Sequence, residues 1–430
     1  MNLKPDDILC FELGSDEPSW VGAIDTVSSD DCEALQRLQR DGIIECDLKS
    51  ETVQISGVDR VGIVMLPSGR RLVIRSRIES LVLLEWLAYL GDFSPLEVWL
   101  ANSAVTTGMD FHTCIARLFL YEVEKVSRLH VRKDYTPVIS HESTIRGRLI
   151  TTQLYRRLNR LPHVPQRHRS RTFDTPYNIV LALALDKIPM LLASASQTDR
   201  TILARQRDLW AHVRRDIDDP VSAVTEAQWA CPPGYRAALQ LARLILIGAA
   251  LDPESGVGGQ AFTLSLDSIW ERSLRRMVER AGLTTNWTSS LDSARTRQWD
   301  DSSARWLTVD VMAERDDLRW VLDAKYKRSF GNEGRTDRFQ MCAYAVAFDA
   351  DRVSLVYPTA DAHSPKGRVL LDTFVGTKRI LIDSVDLPMS SGPSECECAV
   401  RKLCSTWIDQ NVGANGLLVD EYSGSATHIA

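Results

Sequence analysis

Charged side chains interrupt an otherwise apolar stretch in VLDAKYKRSF, residues 321–330. Because side chains alternate between the two faces of a β-strand, Asp323 and Lys325 would emerge on the same face. One explanation is an ordinary ion pair on a surface hairpin. The other is a catalytic carboxylate and a catalytic ammonium group at the end of a hydrophobic strand.

The preceding segment, WLTVDVMAER at residues 306–315, predicts a partner strand. If the two strands form an antiparallel hairpin that turns at Asp316 and Asp317, then Asp310 faces Asp323. Like charges directly opposite each other destabilise a sheet, so we expect a cation between the two carboxylates. A hard divalent ion fits, because Mg²⁺, or Mn²⁺ in its place, takes carboxylate oxygens, keeps several waters and bridges to substrate phosphates.

The residues around this pair suggest phosphodiester hydrolysis. Lys325 would supply a positive charge near the attacking water or near the negative charge that develops on the phosphate. Downstream, Gln340 and Tyr344 lie one turn apart on the predicted helix TDRFQMCAYAVAFDA and share a face. They could position the lysine or a DNA phosphate, and a solvated pair on a helix surface is the alternative.

The motifs resemble a known nuclease family. The spacing D-x12-D-x-K resembles the PD-(D/E)xK nuclease class, although Val309 stands where that formula has proline. In order along the chain, SIWERSLRRMVE, VLDAKYKR, DRFQMCAYA and SLVYP resemble the McrC family, the nuclease subunit of McrBC-type modification-dependent restriction systems. The upstream segments RVGIVMLPSGRRLVIRSRI, STIRGRLI and FDTPYNIVLALAL extend this resemblance.

The resemblance implies a Mg²⁺-dependent DNA endonuclease that cleaves with an McrB-like AAA+ GTPase or ATPase hexamer, on DNA that carries modified bases. It also implies that Glu271 joins the two aspartates as a metal ligand. The implied site is therefore Asp310, Asp323, Lys325, Glu271, Gln340 and Tyr344. The sequence contains no G-x-x-x-x-G-K-[ST], so a nucleotide-driven motor must be another chain.

Two other functions compete with this one. A non-catalytic assembly subunit would bind and stimulate the AAA+ motor, although the intact acidic residues and lysine argue against it. A nucleic-acid-binding module without an enzymatic partner is disfavoured by the formal net charge of −6. Nine scattered cysteines and no apolar run long enough for a membrane span indicate a cytoplasmic protein with reduced thiols. We therefore assign no metal site to Cys396, Cys398 and Cys404.

At 430 residues the chain predicts a multidomain α/β protein. We expect a β-rich N-terminal domain at residues 1–100, a mainly helical middle domain at 101–258, and a restriction-endonuclease-like α/β domain at 259–430 with a disordered C-terminal tail. The first domain is the candidate docking piece for the motor, since the turn PSGRR would place Arg70 and Arg71 on a protrusion.

The middle domain contains a basic interval. From Arg128 to Arg171 there are eleven Arg or Lys residues against only Asp134 and Glu142. We expect Arg146 and Arg148, which flank Gly147, to contact DNA phosphates or an acidic partner surface. The alternative is a solvated basic face.

Overall fold

The structure, a computed structural model, forms two compact units: Met1–Leu84 with Gly91–Leu264, and Glu85–Leu90 with Ser265–Ala430. Both contain helices and sheets, which confirms a multidomain α/β protein. Within the described residues, no helix combines the length and apolar character needed to cross a membrane. The structure describes residues 7–11, 20–23, 26–48, 52–91, 109–155, 162–192, 196–216, 220–249, 261–285, 288–289, 296–298, 306–315, 318–326, 335–359, 366–375 and 378–412.

The predicted domain boundaries at residues 100 and 258 fall outside the described residues, so the three-domain division stays a prediction. The predicted hairpin turn at Asp316 and Asp317 and the predicted disordered tail also lie outside them.

The N-terminal part of the first unit is β-rich, as predicted. The PSGR turn joins two antiparallel strands in which Met65 pairs with Arg71, which confirms the predicted hairpin. A helix begins after Ser28, whose hydroxyl accepts a hydrogen bond from the Asp31 N–H, and it packs Leu35 into the core. The elements are β1 Ile8–Phe11, β2 Trp20–Ala23, α1 Ser29–Arg40, β3 Ile44–Leu48, β4 Thr52–Gly57, β5 Arg60–Met65, β6 Arg71–Arg75 and α2 Ser80–Leu90.

The first unit continues with helices and a long hairpin. Thr175 caps a helix whose first residue is Pro176, and its hydroxyl accepts from the Asn178 N–H. The hairpin was not predicted, because its strands lack the apolar alternation of a half-buried sheet. The elements are α3 Phe111–Arg128, β7 Asp134–Glu142, β8 Arg148–Leu149, α4 Thr151–Tyr155, β9 Val164–Thr172, α5 Pro176–Leu191, α6 Gln197–Leu209, α7 Pro220–Ala230, α8 Arg236–Ala249 and β10 Ala261–Ser265.

Three sheets lie in the first unit. Their strand orders are β1-β6-β5-β10, β2-β4-β3 and β7-β9-β8. Strand β1 runs parallel to β6, with Ile8 opposite Leu72. The first two sheets and α1 enclose a core that contains Leu35, Val53, Ile55 and Leu72.

The second unit is built on a six-stranded mixed sheet of order β11-β14-β15-β16-β18-β17. The predicted strand at residues 306–315 is broken at Val309 and Asp310 into two, and the predicted helix TDRFQMCAYAVAFDA is confirmed at Arg335–Ala347. The elements are α9 Leu266–Thr285, β11 Thr288–Ser289, β12 Thr296–Gln298, β13 Trp306–Thr308, β14 Val311–Arg315, β15 Leu318–Ala324, α10 Arg335–Ala347, β16 Arg352–Pro358, β17 Lys366–Val375, β18 Lys378–Leu387 and α11 Pro393–Val412.

The two faces of this sheet are buried in different ways. Val321 and Leu355 pack with Met341 and Tyr344 of α10 in one apolar cluster. Trp320, the residue before Val321 on β15, points to the opposite face of the sheet. There its ring centroid lies 5.4 Å from that of Trp407 on α11. The end of β15 that carries Asp323 therefore belongs to a sheet with a helix packed on each face.

Candidate active site

The break between β13 and β14 brings two carboxylates together. Strands β14 and β15 pair antiparallel with Val311 opposite Leu322, and continuing this register by one residue places Asp310 opposite Asp323. Asp310 Oδ2 accepts a hydrogen bond of 2.7 Å from the Ala324 N–H. The predicted register is therefore confirmed up to Val311 and Leu322, and Asp310 lies close enough to Asp323 for the charge of Asp323 to raise its pKa.

The setting of Asp310 favours a bound proton in the absence of a cation. Burial, followed by the charges of Asp323 and Glu271, raises the pKa of Asp310 to about 7, although the Ala324 N–H and Lys325 act in the opposite direction. A carboxyl group whose pKa is raised to near neutral pH by burial and by neighbouring negative charges would lose its proton when a divalent cation binds.

Asp323 is almost fully enclosed, with 2 % of its surface exposed. Burial raises the pKa of Asp323, and Asp337 and Asp267 add to this effect while Lys325 opposes it. Lys325 Nζ lies 2.7 Å from Asp323 Oδ2. This ion pair is the contact of a buried carboxylate oxygen with the only cation that the described residues place against it. Such an oxygen is a suitable metal ligand.

Lys325 stays protonated in this site. Burial alone would lower its pKa, but the charges of Asp323 and Asp310 outweigh burial, and the pKa of Lys325 is raised. The side chain is therefore an ammonium ion at neutral pH and cannot act as a general base. It can stabilise negative charge on a phosphate.

Gln340 and Tyr344 share a helix face, as their spacing predicts, and Gln340 contacts the lysine. Lys325 Nζ donates to Gln340 Oε1 at 3.4 Å, and Gln340 Nε2 donates to the Tyr344 hydroxyl at 2.6 Å. That hydroxyl donates to the carbonyl oxygen of Thr308 at 3.1 Å. The ammonium group is thus tied to the end of β13, two residues before Asp310.

Glu271 lies on α9 near Asp310, and its negative charge contributes to the raised pKa of Asp310. Its carboxylate pairs with Arg275 Nη2 at 3.4 Å, and the same nitrogen donates to the Asp310 carbonyl oxygen at 3.4 Å. Its side chain is 37 % exposed. Glu271 is therefore placed to approach a metal, but its role as a ligand stays a prediction.

Two further acidic residues were missed by the sequence analysis. The negative charges of Asp267 and Asp337 each raise the pKa of Asp323. Their spacing carried a signal, since Asp267 precedes Glu271 by one helical turn and Asp337 precedes Gln340 by three residues.

The donor set suits a divalent cation. Among the described residues, no group of three or more His, Cys, Asp or Glu side chains is arranged to hold a metal ion. Mg²⁺ needs fewer, because it is held by one or two carboxylates and keeps several waters. The enclosed Asp323 Oδ2 and the facing Asp310 meet this requirement.

The predicted protrusion of Arg71 is wrong. Arg71 is buried and its guanidinium pairs with the carboxylate of Asp7. The reason is the parallel pairing of β1 with β6, whose register places Asp7 beside Arg71. Arg70 Nη1 donates to the Thr26 carbonyl oxygen at 2.8 Å, so docking through Arg70 stays a prediction.

Arg146 and Arg148 lie in the first unit and are exposed, as the sequence analysis expects. Arg146 pairs with Glu142 at 3.3 Å, and Arg148 lies opposite Arg167 on the neighbouring strand. The C-terminal cysteines are free thiols. Burial raises the pKa of Cys404 to about 12, which makes that thiol inert.

We predict that Asp310→Asn stabilises the metal-free protein at high pH. The raised pKa means that the folded state holds this proton more tightly than the unfolded state, so stability falls as pH rises from about 4 to about 7. Asn keeps an acceptor for the Ala324 N–H and removes the charge, which should add about 1 to 2 kcal/mol near pH 8 and almost nothing near pH 4. Thermal unfolding in EDTA at both pH values measures this.

The control for that experiment is Asp372→Asn. The hydrogen bond from Arg379 lowers the pKa of the exposed Asp372, so this change should not stabilise the protein at high pH. A gain at high pH from both variants, or from neither, contradicts the repulsion between Asp310 and Asp323.

We predict that Tyr344→Phe lowers the cleavage rate at saturating DNA by about tenfold without changing DNA affinity, because the lysine loses its tie to β13. The half-buried Gln340 amide and the Thr308 carbonyl lose a partner, which should also cost about 1 kcal/mol of stability. Single-turnover rates and binding measured on the same samples separate these effects. Lower stability with an unchanged rate would make Tyr344 purely structural.

Comparison with known proteins gives the context of this site. A family model described as McrBC 5-methylcytosine restriction system component matches residues 56–358. A chain in the solved half-complex from a tetradecameric assembly of Thermococcus gammatolerans McrB AAA+ hexamers with bound McrC matches with a TM-score of 0.58 and 13 % identity, over 92 % of this chain and 100 % of that chain. No curated protein matches.

A second match, to a chain of the Thermococcus gammatolerans McrBC complex solved by cryo-EM, has a TM-score of 0.42 and 12 % identity over 64 % of this chain and 88 % of that chain. This likeness is too weak to support an argument about the fold. The family model covers well over half of the sequence and agrees with the order of motifs that resembles McrC. The chain therefore belongs to the family of McrBC 5-methylcytosine restriction system components.

Proposed function

We propose that this chain is the nuclease subunit of a restriction system, a DNA endonuclease that depends on Mg²⁺ or Mn²⁺ and whose PD-(D/E)xK domain lies within residues 259–430. The observation that carries this proposal is the opposition of Asp310 and Asp323 at the end of β15, with the Lys325 ammonium group 2.7 Å from Asp323. A buried carboxylate close to a half-buried one destabilises the folded chain and supplies two anionic ligands for a divalent cation.

The proposed roles follow from the contacts. A divalent cation held by Asp310 and Asp323, with Glu271 close by, would supply Lewis-acid stabilisation of the negative charge that develops during phosphodiester hydrolysis. The hydrogen bond from the Ala324 N–H holds the Asp310 carboxylate in place.

Lys325 would stabilise negative charge on the phosphate rather than take a proton from the attacking water. Its raised pKa keeps it charged, and the Asp323 carboxylate and Gln340 Oε1 both hold it in place. A fixed ammonium group in a partly enclosed site stabilises a developing negative charge more strongly than a solvated one. Tyr344 would be a positioning residue, since it reaches the lysine only through Gln340.

We also propose that the chain works in the cytoplasm with an AAA+ hexamer, a GTPase or an ATPase, on DNA that carries modified bases. Support comes from the family, which is described by 5-methylcytosine restriction, and from the fold shared with a chain in a complex of McrB AAA+ hexamers with bound McrC. The N-terminal residues 1–100 remain the candidate docking piece.

The test supplies the purified chain with the AAA+ partner, its nucleotide and duplex DNA containing 5-methylcytosine, and compares Mg²⁺ with EDTA. We expect cleavage that requires Mg²⁺. If the chain stimulates nucleotide hydrolysis but never cuts, it is a non-catalytic assembly subunit and the proposal is wrong.

A further inference from the structure

The hairpin of β7 and β9 carries a row of arginines on one exposed face. Arg167, Arg169 and Arg171 are exposed and alternate along β9, so they point to the same side. The exposed Tyr135 and Ile139 lie opposite Arg171 and Arg167 on β7. This arginine face thus interleaves basic side chains with an aromatic and an aliphatic one.

A like-charge pair lies at the end of the row. Arg148 of β8 is directly opposite Arg167 of β9, and both side chains are exposed. Within the described residues, neither guanidinium contacts a carboxylate. Two cations facing each other across a strand pair destabilise a sheet unless an anion lies between them.

The backbone holds this pair in place. The buried Gln166 side chain accepts hydrogen bonds from the N–H groups of Arg146 and Gly147 at 2.6 and 3.2 Å and donates to the Thr144 carbonyl oxygen at 2.7 Å. At Gly147 a Cβ would lie 2.3 Å from the Arg167 carbonyl oxygen, so only glycine allows the close approach. The opposition of Arg148 and Arg167 is therefore built into the fold.

The arginines of the interval are not equivalent. Arg146 is paired with Glu142, so its charge is already offset. Arg169 Nη2 donates to the Tyr135 carbonyl oxygen at 3.1 Å and keeps its charge. Alternate residues of a strand are ~7 Å apart. Two phosphate steps along one DNA strand cover the same distance on the helix axis, at ~3.4 Å per step. Arg167 and Arg171 are four residues apart, ~13 Å, which corresponds to about four such steps.

We propose that Arg148, Arg167 and Arg171 form a binding site for the phosphate backbone of DNA. This inference rests on the proposed nuclease function, because a chain of net charge −6 needs a local basic surface to hold a polyanion. Guanidinium forks at phosphate spacing, beside an exposed Tyr135, fit DNA better than an acidic protein surface. Binding there is independent of base sequence.

The experiment measures the affinity of the full-length chain for fluorescent duplex DNA, with and without 5-methylcytosine, over a series of salt concentrations. Arg148→Gln and Arg167→Gln should each weaken binding by about tenfold, since each removes a charge-assisted contact to phosphate. Each should also reduce the dependence of log affinity on log salt by about 0.9. Arg146→Gln should have a smaller effect.

The control is Arg243→Gln, which removes an exposed positive charge from α8 of the same unit and should leave binding and its salt dependence unchanged. An unchanged salt dependence in Arg148→Gln and Arg167→Gln overturns the inference. If these variants bind DNA normally but lose stimulation of the AAA+ partner, the face contacts an acidic protein surface instead. This inference predicts that Lys325→Met binds DNA normally. A chain that binds DNA through the arginine face but never cuts would therefore contradict the proposed nuclease function and not this inference.

Discussion

Asp323→Asn and Lys325→Met are each expected to lower the rate of DNA cleavage by at least about 10³-fold while DNA affinity stays unchanged. Asn removes the charge of an enclosed carboxylate, and the site loses an anionic ligand for a divalent cation. Met keeps the length of the lysine side chain but removes the charge that faces the phosphate. Single-turnover cleavage with the AAA+ partner, at DNA concentrations that saturate each variant, measures the effect.

Matched controls come from the same unit. Lys378 pairs with Asp349 at 3.0 Å, so Lys378→Met removes a paired lysine away from the site. Asp372→Asn removes an exposed carboxylate. Both should cut at the wild-type rate. Equal cleavage by Asp323→Asn and the wild type would place the active site elsewhere.

Asp383→Ala is expected to destabilise the second unit by about 3 to 5 kcal/mol. Asp383 is buried and accepts from Arg352 Nε at 3.1 Å, and the Ser354 hydroxyl donates to its second oxygen. Arg352 stacks over Trp320 at 4.4 Å and is itself buried. Removing the carboxylate leaves an uncompensated guanidinium in the core, where water cannot replace the lost partner.

Thermal unfolding followed by tryptophan fluorescence measures this loss. The exposed pair of Arg379 and Asp372 provides the control, because Asp372→Ala breaks a surface ion pair worth less than about 1 kcal/mol. The double variant Arg352→Met with Asp383→Leu should be more stable than Asp383→Ala, since it removes both charges. Equal stability of Asp383→Ala and Asp372→Ala contradicts the role of the buried pair.

The sequence was sufficient to predict the register at the candidate site. Alternation predicted the shared face of Asp323 and Lys325, and the assumed turn at Asp316 and Asp317 predicted the register in which Val311 lies opposite Leu322. The helix spacing of Gln340 and Tyr344 likewise predicted that they share a face, and of the partners left open the structure shows the lysine, which contacts Gln340. These are local patterns, and local patterns are what a sequence shows directly.

The misses depended on contacts between distant segments. Arg71 is buried because β1, far away in sequence, pairs parallel with β6 and brings Asp7 to it. The arginine hairpin has no apolar alternation, so its pairing could not be read from hydrophobic periodicity. Asp267 lies on the helix before β15 in sequence and Asp337 on the helix after it. Their effect on the pKa of Asp323 depends on how these helices pack in the folded chain.

The central claim is that Asp310 and Asp323 share a divalent cation, and Mn²⁺ binding by the metal-free chain tests it most directly. Electron paramagnetic resonance counts the Mn²⁺ that remains free in solution as the protein is added. Wild type and Asp372→Asn should bind Mn²⁺, whereas Asp310→Asn and Asp323→Asn should lose this binding. Lys325→Met should keep it, because it removes a competing positive charge. Mn²⁺ binding by the variant that carries both Asp310→Asn and Asp323→Asn, at the wild-type level, would contradict the claim.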